Sequence, residues 1–531
     1  MSPRNRIRQR SASLLLVLIA IAGGARAEST DATRITWSRC SVDSELLKQV
    51  RPDIRLECGS LAVPVDYRHD DGRSTEVQVL RIHTGSSTDR RRTLFFNFGG
   101  PGLDPRSSLH ATTYNWATMP QDDTLGGFAT LIDHFDFVTM APRGTDMTYP
   151  LLCGQSLLPS IMDILRDRND EQAWKIFIDG TKAFAEQCAT AAAAIHVDTD
   201  THVHDIERFR IGLGATRLSF YGASYGSWIA LWYASLFPSQ VDRMLLDGAV
   251  NFGSTWSDQF RHDIPVRDEA MIDAALQPIA DRPQYYGLGD SVSRVLVGLM
   301  KVPLPVRMLW YPELARPETM AAAITVGRWI RENRSVAEID ALVANHTFSH
   351  SPAYDRLLND EAKRLLGMAF PGSPSAQGKA NVTNLTRLSV NFATYCNDTP
   401  WERDTADWRR FIEDKLAFSM SLRPSEPTLA MVCAQWPGSP ASKPDPSALV
   451  GVHALFLHGE YDISAPWLAA QRSLEMMPNS RAILVRDTSE HVLFGRTMLP
   501  CMERRAVQYL LTGVLPPERI THCDAHASTT L

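Results

Sequence analysis

The stretch Gly222-Ala223-Ser224-Tyr225-Gly226 constrains this chain more than any other feature. It fits G-x-S-x-G, and its surroundings are those that give the pattern meaning. An apolar, strand-like run, Arg217-Leu218-Ser219-Phe220-Tyr221, precedes it. A helix-like run from Ser227 to Ala234, stopped by Pro238, follows. Strand, sharp turn and helix lift the serine hydroxyl out of a sheet on a strained elbow. Glycine is needed on either side because a side chain there would collide with neighbouring backbone. The helix N-terminus behind the serine turns N–H groups toward a developing oxyanion. Ser224 is therefore the candidate nucleophile. Without the strand and helix, the same five residues would signal only a glycine-rich turn.

The chain has 531 residues, more than one minimal domain holds, so one large domain with an insertion or two domains are expected. A composition of 44% hydrophobic and 21% charged residues excludes wholesale disorder. The net charge of −6 is small for this size and makes no electrostatic case for a nucleic-acid partner.

The first residues read as an export signal. Arg4, Arg6, Arg8 and Arg10 form a basic region, and the apolar run Ala12 to Ala22 is too short to span a bilayer. Ala25-Arg26-Ala27 is a small-x-small cleavage site. The pattern predicts a Sec-type signal peptide over 1–27, a mature chain from Glu28, and a secreted or periplasmic location. No later segment is apolar enough to span a membrane, so no integral membrane segment is expected after cleavage. The eight cysteines agree, since all follow the signal and their number is even. They permit on the order of a hundred pairings. The simplest is sequential: Cys40–Cys58, Cys153–Cys188, Cys396–Cys433 and Cys501–Cys523. No C-x-x-C occurs, so neither a zinc site nor a redox motif is expected, and no metal or cofactor is called for.

Hydrophobic periodicity predicts strands at Leu61 to Val65, Glu76 to Ile82, Thr93 to Phe98, Phe135 to Met140 and Met244 to Leu246. Residues 157–195 read as helices, and Asp205 to Leu213 as an amphipathic helix leading into the elbow strand. The strand–helix rhythm implies a largely parallel sheet covered on both faces. From about 251 to 445 it gives way to an irregular helical pattern rich in aromatics, punctuated by Pro371-Gly372-Ser373-Pro374 and by the loop 437–447. It then resumes with strands Ala454 to Leu457 and Ala482 to Val485, and with helices Ala465 to Met477 and Met502 to Leu511. We read 28–250 and 446–531 as one α/β core and 251–445 as a helical cap inserted into it. Residues 524–531 read as a frayed tail.

A serine needs a base, and the base an orienting acid. In this architecture they follow in the order Ser, Asp or Glu, His. Asp462 follows the strand Ala454–Leu457 and His491 follows Ala482–Val485, so both fall at the sheet edge that carries Ser224. His458 is a rival base, and Asp247, Asp487 and Glu460 are rival acids. Asp247 is the strongest of these because it ends the strand after the elbow. The oxyanion hole needs two backbone donors. Tyr225 supplies one. Gly99-Gly100-Pro101-Gly102 supplies the other, through Gly100, since Pro101 has no N–H.

Together these residues resemble the exported tripeptidyl-aminopeptidase-like α/β-hydrolases, relatives of the prolyl aminopeptidases. The resemblance runs through most of the mature chain. Its pieces are residues 57–67 (ECGSLAVPVDY), 97–102 (NFGGPG), 142–145 (PRGT), 221–226 (YGASYG), 246–248 (LDG), 395–398 (YCND), 433–437 (CAQWP) and 459–462 (GEYD). It implies an α/β-hydrolase fold, exopeptidase action on peptides with a free N-terminus, acyl-enzyme chemistry and no metal. Carried over, Ser224 is nucleophile, Asp462 acid and His491 base, and pairing of Cys396 with Cys433 and Cys501 with Cys523 fits as well. The chain departs from the family at Ala141, where aspartate is usual, at Leu103-Asp104-Pro105, and at Glu490 before the histidine. An aminopeptidase must also hold an ammonium, which calls for a carboxylate in or near the cap, with Glu313 and Asp398 as candidates. The same triad serves small-molecule esters and amides. Esterase action, single-residue release and a purely binding role therefore stand as alternatives, and the oligomeric state is left open.

Overall fold

The computed structural model describes residues 34–525 except 39, 41–44, 70, 85–91, 120–125, 147–148, 155–157, 160, 194 and 371–381. The expected signal peptide and the 371–374 punctuation lie outside the described residues.

Burial on two sides decides the architecture. In the strand Arg92–Asn97, Phe95 packs into one apolar cluster while Leu94 and Phe96 pack into another. In the strand Ala454–Gly459, Phe456 joins the first cluster and Leu455 and Leu457 join the second. Strands buried on both faces require helices on both faces.

Ten strands form one sheet. In chain order they are β1 (Ile35–Ser38), β2 (Ile54–Pro64), β3 (Ser74–Thr84), β4 (Arg92–Asn97) and β5 (Phe135–Met140), then β6 (Leu218–Ala223), β7 (Val241–Asp247), β8 (Ala454–Gly459), β9 (Arg481–Arg486) and β10 (Ile520–Asp524). Their spatial order is β1-β2-β3-β5-β4-β6-β7-β8-β9-β10. Pairings are antiparallel up to β3–β5 and parallel from β5 to β10. This is the α/β-hydrolase arrangement, with the expected mostly parallel sheet. β1 and β10 were not legible in the sequence. β10 takes Asp524 from the segment read as a tail, and it buries only Thr521 and Cys523, too short an alternation to read.

The helices between β7 and β8 pack in two ways. Residues from Met271 to Leu366 build a separate core around Trp310, Met320 and Leu365. Trp256, Ile264 and a set from Val390 to Ala441 instead join the cluster on one face of the sheet, which also holds the helix Glu171–Ala193. Disulfides join Cys40 to Cys58, Cys153 to Cys188, Cys396 to Cys433 and Cys501 to Cys523, which is the sequential pairing. No helix among the described residues is long and apolar enough to cross a membrane.

Candidate active site

β6 ends at Ala223, and the helix Tyr225–Leu236 begins immediately after Ser224. Ser224 sits at φ 54° and ψ −124°, a strained conformation for a residue with a side chain. The flanking glycines allow it. A Cβ on Gly222 would lie 2.6 Å from the Gly226 carbonyl oxygen, and one on Gly226 would lie 2.4 Å from that of Asn97. The Ser224 N–H donates to the Asp247 carbonyl at 2.8 Å, and Ser227 Oγ donates to the Ser224 carbonyl at 2.6 Å.

Asp462 follows β8 and is buried. Its Oδ1 accepts from the Ser464 N–H at 2.7 Å and the Ala465 N–H at 3.1 Å. Its Oδ2 lies 2.6 Å from Nδ1 of His491, in the loop after β9. The carboxylate fixes the proton on Nδ1, which leaves Nε2 as the basic nitrogen. Burial pushes the Asp462 carboxyl up, but the charge and N–H of His491 outweigh it and hold the group below the usual range. For His491, burial pulls the imidazole down, and the Asp462 charge and hydrogen bond more than restore it. The pair therefore favours an imidazolium beside a carboxylate. The rival base His458 is buried and occupied, with Nε2 donating to the Ala465 carbonyl at 2.8 Å.

Ser224, His491, Gly100 and Tyr225 line one cavity of ≈320 Å³. Hydrogen bonds from Asn391 to the Pro101 carbonyl, 3.2 Å, and from Tyr395 to the Gly100 carbonyl, 3.5 Å, tie the glycine loop to the helix Val382–Asp398. Trp256, Phe260, Phe392, Tyr395 and Trp401 give the cavity an aromatic wall. Its charged groups are Asp263, Arg267, Arg423 and Glu426. Arg267 holds Glu426 through two bonds of 2.7 and 3.0 Å, and the Arg423 N–H donates to the same carboxylate at 2.9 Å. Arg423 also donates to the carbonyls of Ile463 and Ser464, beside the acid. Asp263 makes no hydrogen bond or ion pair among the described residues. Burial pushes its carboxyl up to about 6, against the opposing pull of Arg267 and Arg423.

Residues 425–523 match the family model described as TAP-like protein. A tripeptidyl aminopeptidase of Streptomyces coelicolor is 24% identical over 93% of this chain and 86% of its own. The serine protease Hip1 of Mycobacterium tuberculosis is 25% identical over 95% of both chains. Among solved structures, a serine hydrolase of Cycloclasticus zankles covers 85% of this chain and 98% of its own at 9% identity and a TM-score of 0.31. The chain has the α/β-hydrolase fold and is similar to TAP-like proteins over residues 425–523. It is an enzyme, a serine hydrolase; one named relative is described as a tripeptidyl aminopeptidase and the other as a serine protease.

The two carboxylates put forward for the ammonium do not line the cavity. Glu313 is half-buried beside the separate helical core, paired with Arg316 at 2.9 Å and Arg364 at 3.2 Å. Asp398 is fully buried, behind Trp256 and Tyr225. It accepts from the Thr199 N–H at 2.7 Å, the Thr199 hydroxyl at 2.5 Å and Trp256 Nε1 at 3.4 Å. Burial pushes it up to about 7. Sequence reasoning missed Asp263 and Arg267. Their signal was helical spacing, since Phe260, Asp263 and Arg267 recur at i, i+3 and i+7 along the helix Trp256–Met271.

Proposed function

We propose that this serine hydrolase is an exported serine exopeptidase that removes short units, tripeptides above all, from the free N-termini of peptides. One observation carries the exopeptidase reading. Asp263, a half-buried carboxylate without a hydrogen bond among the described residues, shares a cavity with Ser224 and His491. A carboxylate without a hydrogen bond among the described residues, in a cavity with an aromatic wall, suits a substrate ammonium, while that wall suits apolar side chains. The length of the unit released follows from the Streptomyces relative's description.

The steps use this chain's own residues. His491 Nε2 takes the Ser224 Oγ proton as the oxygen attacks the scissile carbonyl. The N–H groups of Gly100 and Tyr225 hold the oxyanion, and Asp462 stabilises the imidazolium. The C–N bond breaks, His491 gives its proton to the leaving amine, and an acyl-serine remains. Water then attacks the acyl group while His491 takes its proton. That proton returns to Ser224 Oγ as the acyl bond breaks, freeing the carboxylic acid. The four disulfides support export, because such bonds persist in oxidising compartments.

The test uses protein beginning at Glu28 beside its Ser224→Ala variant. Both meet a panel of free and N-acetylated peptides and short-chain aryl esters, with products read by mass spectrometry. Ser224-dependent release of N-terminal tripeptides, blocked by acetylation, is the expected result. Single-residue release would move the enzyme to the prolyl-type branch. Ester turnover with intact peptides would refute the peptidase reading.

A further inference from the structure

The mechanism uses one carboxylate beside the histidine, yet a second lies fully buried at the next strand end. Asp247 closes β7, which runs between the nucleophile strand β6 and the acid strand β8. Its carbonyl accepts from the Ser224 N–H at 2.8 Å. Its carboxylate accepts from three donors: the Leu493 N–H at 2.9 and 3.0 Å, the Phe494 N–H at 2.8 Å and the Tyr221 hydroxyl at 3.0 Å. Leu493 and Phe494 belong to the loop that carries His491. Tyr221 belongs to β6, three residues before the nucleophile. The next residue, Gly248, packs so closely that a Cβ there would stand 2.8 Å from Cε1 and 2.9 Å from Nδ1 of His491.

One residue thus grips the nucleophile by its backbone and the base's loop by its side chain. A buried carboxylate is costly unless its oxygens are satisfied, and here every donor comes from an element carrying Ser224 or His491. We propose that Asp247 is the positioning residue that sets His491 against Ser224, and that its negative charge also favours the imidazolium during the reaction.

The charged and titratable groups around it are consistent with that role. His491 faces it from the loop, Tyr221 from β6 and Glu503 from the helix Pro500–Thr512. Glu503 accepts from the Gly495 N–H, in the same loop, at 3.1 Å. Burial, together with the Asp247 charge, pushes Glu503 up to about 8, and burial also pushes the Asp247 carboxyl up, against the opposing pull of its three donors and of His491. Asp462 also faces His491, His458 lies next to Asp462, and the Arg423 charge opposes the imidazolium.

The proposal rests on the Ser224–His491 reading, so its test carries Ser224→Ala as a control. Asp247→Asn and Tyr221→Phe are compared with the parent in kcat, KM, the pH profile of kcat/KM, fluorophosphonate labelling of Ser224 and melting temperature. For Asp247→Asn, kcat should fall on the order of 10²-fold, the loss that a small misplacement of a catalytic group produces, with KM within about twofold. Labelling should slow in step, and the acidic limb should move to lower pH, because the imidazolium loses a nearby anion. Tyr221→Phe removes one of the three donors and should move both readouts the same way by less. A folded Asp247→Asn variant that keeps kcat within about twofold and an unmoved acidic limb overturns the proposal. So does a loss that merely tracks the unfolded fraction. If Asp247→Asn does not fold, Tyr221→Phe decides alone, and an unmoved acidic limb is then the refutation. Parent activity that survives in Ser224→Ala would instead refute the underlying reading.

Discussion

Replacing Asp263 by asparagine should separate binding of the substrate's ammonium from the chemistry at Ser224. Asp263 projects from the helix Trp256–Met271 into the catalytic cavity. The neighbouring Glu426 is already committed to Arg267 and to the Arg423 N–H. A hydrogen bond to a charged group contributes about 1.5–3 kcal/mol. Asp263 is half-buried, and two guanidinium groups stand near it, so the lower part of that range applies. At ~1.5–2 kcal/mol, kcat/KM for a free-amine peptide should fall about 10- to 30-fold. An N-acetylated peptide or an aryl ester, which presents no ammonium, should change by less than about twofold. The pH dependence has a definite sign. The Asp263 carboxyl sits at about 6, and a peptide amine loses its proton near about 8. Carboxylate and ammonium therefore coexist mainly between these values. The preference for the free amine should peak there, decline at lower pH as Asp263 takes a proton, and decline at higher pH as the amine loses one. In Asp263→Asn the decline on the acid side should vanish. The assay is kcat/KM for matched free and acetylated peptide anilides across pH. Equal loss on both substrates, or a preference indifferent to pH in the parent enzyme, would refute the reasoning.

Two further outcomes follow from the same geometry. Gly248→Ala places a methyl group 2.8 Å from His491 Cε1 at a residue whose φ is +62°. The imidazole must move, so kcat should fall on the order of 10²-fold, while the melting curve records a strain of only about 1–3 kcal/mol. Removing the Cys396–Cys433 bridge, whose cysteines are 37 residues apart, releases a loop in the unfolded chain. The double alanine variant should lose about 2–4 kcal/mol in urea unfolding. Retained stability would show that the bridge constrains little.

Much of this was legible locally. The elbow is five residues long, and its glycines, strand and helix are all neighbours in the chain. β4 to β9 announce themselves by apolar runs, and their order places Asp462 and His491 at the sheet edge that carries Ser224. The disulfides close short loops, so sequential pairing was within reach of the sequence. Periodicity, turn chemistry and short loops act over a few to a few tens of residues, which is the range a sequence displays. Which carboxylate stays free is a different kind of fact. Asp398 is occupied by Thr199, 199 residues away, and Glu426 by Arg267, 159 residues away. Asp263 remains available because no such partner reaches it among the described residues. Asp247, readable only as a rival acid, takes its donors from a loop 246 and 247 residues further on. The desolvation of a carboxylate and the supply of donors to it are set through space. The chain alone therefore determined the sheet, the elbow and the order of the proposed catalytic groups, and only tertiary packing decided which carboxylates are satisfied by distant donors and which is left without one among the described residues.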